Sequence, residues 1–127
     1  MDPIADMMNM VKNASLVNKA DVTVTYSKQK EAIAQCLKRE GYLTGVEKKI
    51  RNGFPILVLS LVTDEKRRIT EVKRISKPSR RMYAGVKEFK GYFTGRGLLV
   101  LSTPKGIMSH REAKKELVGG ELLFSLS

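Results

Sequence analysis

Cysteine and histidine each occur once, at Cys36 and His110, so the chain has little material for a metal centre or a nucleophilic site. A single cysteine excludes an internal disulfide and a cysteine-based zinc cluster within one chain. Long apolar runs are also missing. The longest, Ile56-Leu57-Val58-Leu59 continued past Ser60 to Val62, falls far short of the roughly eighteen residues that a membrane span needs, so no membrane partner is expected. The first residues, Met1-Asp2-Pro3-Ile4-Ala5-Asp6, are acidic where a signal or transit peptide would be basic, and a cytoplasmic protein is the expectation. No internal repeat and no low-complexity segment is present.

What remains is one ordinary domain or two very small ones: 127 residues, 42% of them apolar, enough for a packed core without staples. The charge balance carries more information. Lys and Arg number 24 against 13 Asp and Glu, for a net charge of +11. A pI of about 10.0 goes with it, and such a surface suits a polyanionic partner. The excess is uneven, because residues 1–64 carry 9 basic and 7 acidic groups whereas residues 65–127 carry 15 and 6. Within the second half, Lys66, Arg67, Arg68, Lys73, Arg74, Lys77, Arg80 and Arg81 are interrupted by one acid, Glu71. A run of charge is often only a solvated face, but this density favours a phosphate-facing surface.

Hydrophobic periodicity predicts an α+β fold in two small domains. Asp2-Pro3 starts a helix whose apolar positions, Ile4, Met7, Met8, Val11 and Ala14, recur at helical spacing. Val22 to Tyr26 alternates as a half-buried strand, and Ser27 caps a second helix that runs to Gly41 with Cys36 near its apolar side. Tyr42 to Ile50 and Ile56 to Val62 flank Asn52-Gly53, a strong hairpin signal. A polar break at Asp64 to Arg68 places the boundary there: an N-terminal α/β domain over 1–64 and a basic, β-rich C-terminal domain over 65–127. In the latter, Gly97 to Leu101 is a doubly buried strand. A short helix follows, capped by Ser109 and Glu112 and ended by Gly119-Gly120. Leu122, Phe124 and Leu126 mark a last strand with one face inward.

Motifs for chemistry are thin. His110 stands in the first turn of the short helix and is expected at the surface near an anionic ligand. Gly91 to Gly97 contains G-x-G without the third glycine and precedes a strand rather than following one, so it is no dinucleotide fingerprint. Lys90-Gly-Tyr-Phe93 opens like an RNA-recognition-motif signature but has Phe93 where Gly or Ala belongs. The segment Leu101-Ser-Thr-Pro-Lys-Gly106 is expected as a polar turn between a buried strand and a helix N-terminus. There hydroxyls, N–H groups, Lys105 and the helix dipole would converge on an anion.

Asp2-Pro-Ile-Ala-Asp6 with Asn13-Ala14, Lys77-Pro-Ser-Arg-Arg-Met-Tyr-Ala-Gly85, Leu101 to Met108, Arg111-Glu-Ala113 and Val118-Gly-Gly-Glu121 together resemble the bacterial small ribosomal subunit protein eight family over the whole chain. The resemblance implies a non-enzymatic constituent of the small ribosomal subunit, without cofactors, that binds the central domain of 16S ribosomal RNA and helps organise the platform. It also implies ribosomal protein neighbours and repression of its own operon through its messenger RNA. The family's RNA contacts, carried over by motif, fall on Ser102, Thr103, Gly106, Tyr83 and Glu121. Pro104 stands where the family usually has serine, which removes a hydroxyl and an N–H and stiffens the loop.

Small hydroxyl donors on a tight turn suit the shallow minor groove or a distorted site of an RNA helix. Ser102 and Thr103 are expected to donate to the RNA, with Lys105, Arg67, Arg68, Arg80 and Arg81 on phosphates. Tyr83 either stacks on a base or packs in the core. Glu121 would hold the loop through Ser or backbone N–H groups, or accept from a base amine. The rival class is a small basic DNA-binding regulator, which charge alone allows but which lacks a clear recognition helix. A nucleic-acid-processing enzyme would need a carboxylate set or acid–base pair that the scattered acids do not supply.

Overall fold

The computed structural model describes residues 2–62, 69–77, 79–93 and 97–127. The fold is α+β, and the chain divides into two compact units, Pro3–Thr70 and Glu71–Ser127 with Asp2. The boundary expected after residue 64 falls on residues 63–68, outside the described residues.

The first unit runs α1 (Pro3–Leu16), β1 (Asp21–Thr25), α2 (Lys28–Arg39), β2 (Leu43–Arg51) and β3 (Phe54–Leu61). Its antiparallel sheet has the order β1-β3-β2. Asn52 (φ 50°) and Gly53 (φ 81°) both turn left-handed between β2 and β3, as a two-residue hairpin of matching twist requires. Ser27 caps α2 by accepting from the Lys30 N–H at 3.1 Å. The helix closes at Gly41, where the Tyr42 N–H reaches Leu37 O at 2.9 Å and the Gly41 N–H reaches Lys38 O at 3.1 Å. The apolar stripes of both helices are buried, from Met7, Met8 and Val11 to Ile33, Cys36 and Leu37. Cys36 is therefore a small buried hydrophobe.

The second unit is an antiparallel sheet of β4 (Val72–Arg74), β5 (Tyr83–Ala84), β6 (Leu98–Thr103), β7 (Gly106–Ser109) and β8 (Gly120–Leu126), with a 3-10 helix at Val86–Tyr92 and α3 at His110–Glu116. The order is β4-β8-β6-β7, and β5 pairs with β8 further along the edge that β4 uses. One face carries a core of Ala84, Phe89, Leu99, Leu101, Met108, Ala113 and Leu122.

Two expectations are corrected here. The last strand is buried on both faces, since Leu123 (1%) and Ser125 (9%) are shielded along with Leu122, Phe124 and Leu126. A bulge between Val100 and Leu101 in the β6–β8 register breaks strict alternation. The helix α3 ends before the glycines, at Leu117, which takes φ 56° while the Val118 N–H bonds Ala113 O at 3.0 Å. The capping box at its start is as expected: Ser109 accepts from the Glu112 N–H at 3.2 Å and the Ser109 N–H donates to Glu112 Oε1 at 3.1 Å.

Candidate nucleic-acid interface

Strand register assembles the central feature. Tyr83 lies opposite Glu121, Glu121 opposite Ser102, and Ser102 opposite Ile107. Directly opposed residues share a face of the sheet, so these four form one row across β5, β8, β6 and β7. The neighbouring register, Leu122 with Leu101 and Leu101 with Met108, points the other way into the core. Three residues named from motifs far apart in sequence are thus brought side by side. Tyr83 is 66% exposed, so the core-packing alternative for its ring is set aside.

Two glycines make the row compact. A Cβ at Gly119 would sit 2.5 Å from Ala84 O, and one at Gly120 would overlap the Ser102 carbonyl, 2.9 Å from its carbon. Neither glycine has the left-handed φ that would otherwise explain it. Their purpose is close backbone approach, which lets β8 draw Glu121 in beside Ser102 and Tyr83.

Beyond Ser102 the chain makes a two-residue turn rather than entering a helix. Thr103 pairs with Gly106 across Pro104-Lys105, so Leu101 to Ser109 is a β-hairpin. Proline at the first turn position uses its fixed φ, and Gly106 takes φ 119°. The expected convergence on a helix N-terminus is corrected. The four residues of β7, about 13 Å of extended chain at ~3.3 Å per residue, separate the turn from α3.

The hydroxyls of the turn have different employments. Thr103, 9% exposed, donates from Oγ1 to Gly106 O at 2.8 Å and accepts from the Lys105 N–H at 3.1 Å. Its proton is spent inside the turn, which it shapes. Ser102 is half-buried, and its hydroxyl has no partner among the described residues. Lys105 Nζ pairs with Glu116 Oε2 at 3.1 Å, both side chains more than half exposed, a bond that solvent and salt readily replace.

The basic segment is organised by a residue that the sequence reasoning passed over. Ser76, fully buried, donates to Met82 O at 3.1 Å and accepts from the Met82 N–H at 2.7 Å. Its own N–H bonds Leu122 O at 3.0 Å, and the Leu122 N–H bonds Met82 O at 2.9 Å. The loop between them is closed by reciprocal Lys77–Arg80 backbone bonds and tied to β8. Arg80 is exposed on it. Arg81 reaches Glu121, Nη1 to Oε2 at 3.0 Å, with the carboxylate's side chain 17% exposed and the guanidinium's 52%. Glu121 is therefore held by Arg81, where a serine or backbone N–H partner was expected. Arg67 and Arg68 lie outside the described residues.

His110 departs from expectation. It is half-buried, its Nδ1 accepts from the Leu99 N–H at 3.1 Å, and its ring lies 4.2 Å from that of Phe93. Its work is structural, tying α3 to β6. No sequence signal announced Ser76 or His110 in these roles, since both depend on backbone groups brought near by folding.

The described part of the basic stretch, 69–77 and 79–81, is strand and loop, and α3 has only 7 residues, so the DNA-regulator reading finds no recognition helix among the described residues. Comparison with known proteins points elsewhere. The family model described as ribosomal protein S8 matches residues 2–126. The small ribosomal subunit protein uS8 of Methylacidiphilum infernorum is 44% identical over 126 residues, covering 98% of this chain and 97% of that protein. Its counterpart from Thermus aquaticus is 42% identical, with 96% and 95% covered. That from Caldicellulosiruptor bescii is 43% identical, with 97% and 95% covered. Identity at this level along nearly the full length of all three leaves one assignment: the chain belongs to the ribosomal protein S8 family.

Proposed function

We propose that this protein grips the central domain of 16S ribosomal RNA through the Tyr83–Glu121–Ser102 row and the Thr103–Gly106 turn, as an early-binding protein of the platform. Membership of the S8 family makes it a structural constituent of the small ribosomal subunit in the cytoplasm, and not an enzyme. The observation that carries the RNA reading is the register row. It sets an exposed aromatic ring, a free hydroxyl and an ordered carboxylate on adjacent strands, beside exposed arginines of a loop tied to the same strand.

Each group has a physical task. The Tyr83 ring offers a stacking face for an unpaired base or a ribose. Ser102 supplies the small donor and acceptor that a minor groove or distorted helix accommodates. Arg80, Arg81 and Lys105 neutralise phosphates, with Arg67 and Arg68 added from the same basic stretch. Glu121, repelled by phosphate, anchors Arg81 and offers its remaining lone pairs to a base amine. Thr103 and Gly106 hold the turn in shape, so little entropy is lost on docking. The basic C-terminal domain is thus the RNA-binding half. Neighbouring ribosomal proteins and a messenger RNA copy of the site, used for operon repression, complete the set of partners.

The test is a titration against the central-domain RNA fragment and a scrambled duplex of equal length, at two salt concentrations. A preference of about a thousandfold at the higher salt is expected, near the low end of dedicated nucleic-acid sites. Equal affinity for both would overturn the reading.

A further inference from the structure

The Glu71–Ser127 unit contains a second concave surface that the register row does not use. It is an open cleft of about 650 Å³, and every lining residue belongs to this one unit. That volume is within the range of small-ligand sites. Its walls include Lys73, Lys77, Arg80 and Lys90, all exposed, and the half-buried rings of Tyr92 and Phe93. None of the four cations has an ion-pair partner among the described residues. Arg74, also in the wall, is already committed: its Nε bonds Asp2 Oδ2 at 2.9 Å and its Nη1 donates to Leu123 O. The one acidic side chain of the lining is that of Glu71, whose backbone makes two bonds to Ser127.

Four free cations bordering one hollow repel one another, and an anion in the hollow would relieve that repulsion. The aromatic part narrows the choice of anion. Phe93 lies against His110, at 4.2 Å between ring centres, and both Phe93 and Tyr92 pack on the core cluster, so both rings are held in place before any ligand arrives. The Tyr92 hydroxyl has no partner among the described residues. Fixed rings next to free cations match a group with a flat apolar face and a phosphate attached to it. An acidic peptide would satisfy the charge and leave the rings idle.

We propose that this cleft seats one unpaired nucleotide of a bound RNA, its base or ribose against Tyr92 and Phe93 and its flanking phosphates on Lys73, Lys77, Arg80 and Lys90. The inference rests on the RNA-binding reading above and adds a second contact to it. Arg80 stands in both, and links the cleft to the loop that carries Arg81.

Photocross-linking tests it directly, with 5-iodouridine placed throughout two probes: the central-domain ribosomal RNA fragment and a single-stranded hexauridylate. Tryptic cleavage after Lys90 and Arg96 isolates Gly91–Arg96, which contains both rings. Cross-links on that peptide are expected with both probes, besides any at Tyr83 with the ribosomal fragment. The fold-neutral double variant K73Q/K90Q should weaken hexauridylate binding about tenfold and reduce its salt slope by roughly 1.4, at about 0.7 per contact on a single strand. Normal binding of the ribosomal fragment with no cross-link on this peptide, and an unchanged slope for K73Q/K90Q, would overturn the cleft and leave the register-row interface standing. Cross-linking of hexauridylate at the cleft without preference for the ribosomal fragment would do the opposite. Displacement of hexauridylate by polyglutamate as readily as by oligonucleotides of equal charge would assign the cleft to acidic protein and refute the nucleotide.

Discussion

Replacing Gly120 with alanine should be severe, for a reason that lies in the backbone and not in any side chain. The new Cβ would overlap Ser102 O and stand 2.9 Å from Ser102 C and 3.1 Å from Thr103 Cα, all main-chain atoms of the neighbouring strand. Nothing flexible is available to give way. The strands must part, at about 1–3 kcal/mol for overpacking, and the local ladder pairing between Ser102 and Glu121 loses a hydrogen bond worth about 1 kcal/mol. Because β8 pairs with β4, β5 and β6, the strain falls on the strand that organises the whole unit. A loss of about 3 kcal/mol is a large part of the ~5–15 kcal/mol that stabilises a domain, and should lower Tm by roughly 10 °C. Thermal unfolding followed by circular dichroism checks this, with Gly91→Ala as control, since a Cβ there meets nothing within 4 Å. A Gly120→Ala protein that melts within about 2 °C of wild type would refute the close-approach argument. If it melts early yet binds the ribosomal fragment normally at low temperature, where it is folded, the row is not the interface.

Five further substitutions test the same geometry. Leu117→Gly should raise stability by about 1 kcal/mol, because an 81% exposed leucine held at φ 56° loses little packing and relieves a left-handed residue; a lower Tm would contradict it. Ser76→Ala should cost about 2 kcal/mol by leaving the Met82 N–H unpaired in a half-buried site, while Met82 O keeps the Leu122 N–H, and should speed amide exchange at Met82 in hydrogen-exchange mass spectrometry. Arg81→Gln should change stability by less than about 0.5 kcal/mol, given its exposure, while lowering the salt slope of RNA binding by about one; an unchanged slope would leave Arg81 as an anchor for Glu121 alone. Thr103→Val should destabilise the turn by about 1 kcal/mol through the lost Gly106 and Lys105 bonds, whereas Ser102→Ala should leave Tm unchanged and weaken the specific RNA more than the scrambled duplex.

Local chemistry made much of the fold legible. Asn52-Gly53 placed its hairpin, Ser27 its cap, and the S-x-x-E box its helix start, because each is settled by residues within one turn of chain. Where the reading failed, the deciding partner was distant. Gly119-Gly120 looks like a helix stop, yet Leu117 bears the left-handed strain so that both glycines remain free to pass close to Ala84 and Ser102. Likewise Thr103-Pro-Lys-Gly106 has the composition of a strand-to-helix turn, and only the pairing of Ile107 and Met108 back onto β6 makes it a hairpin.

For the interface, motif resemblance named Tyr83, Ser102 and Glu121 without saying why they belong together; the register supplies the reason, one row across adjacent strands. It also separates two hydroxyls that the sequence treats as equals. Alternation along β6 turns Thr103 toward the side occupied by the core and Ser102 toward the row, so the threonine shapes the turn while the serine is left for the contact proposed above. The same logic bears on Pro104. A hydroxyl at that position would stand at the tip of the turn, outside the row. The turn stays anchored by Thr103 and Gly106 without it, so the recognition proposed for Ser102, Glu121 and Tyr83 does not require that hydroxyl.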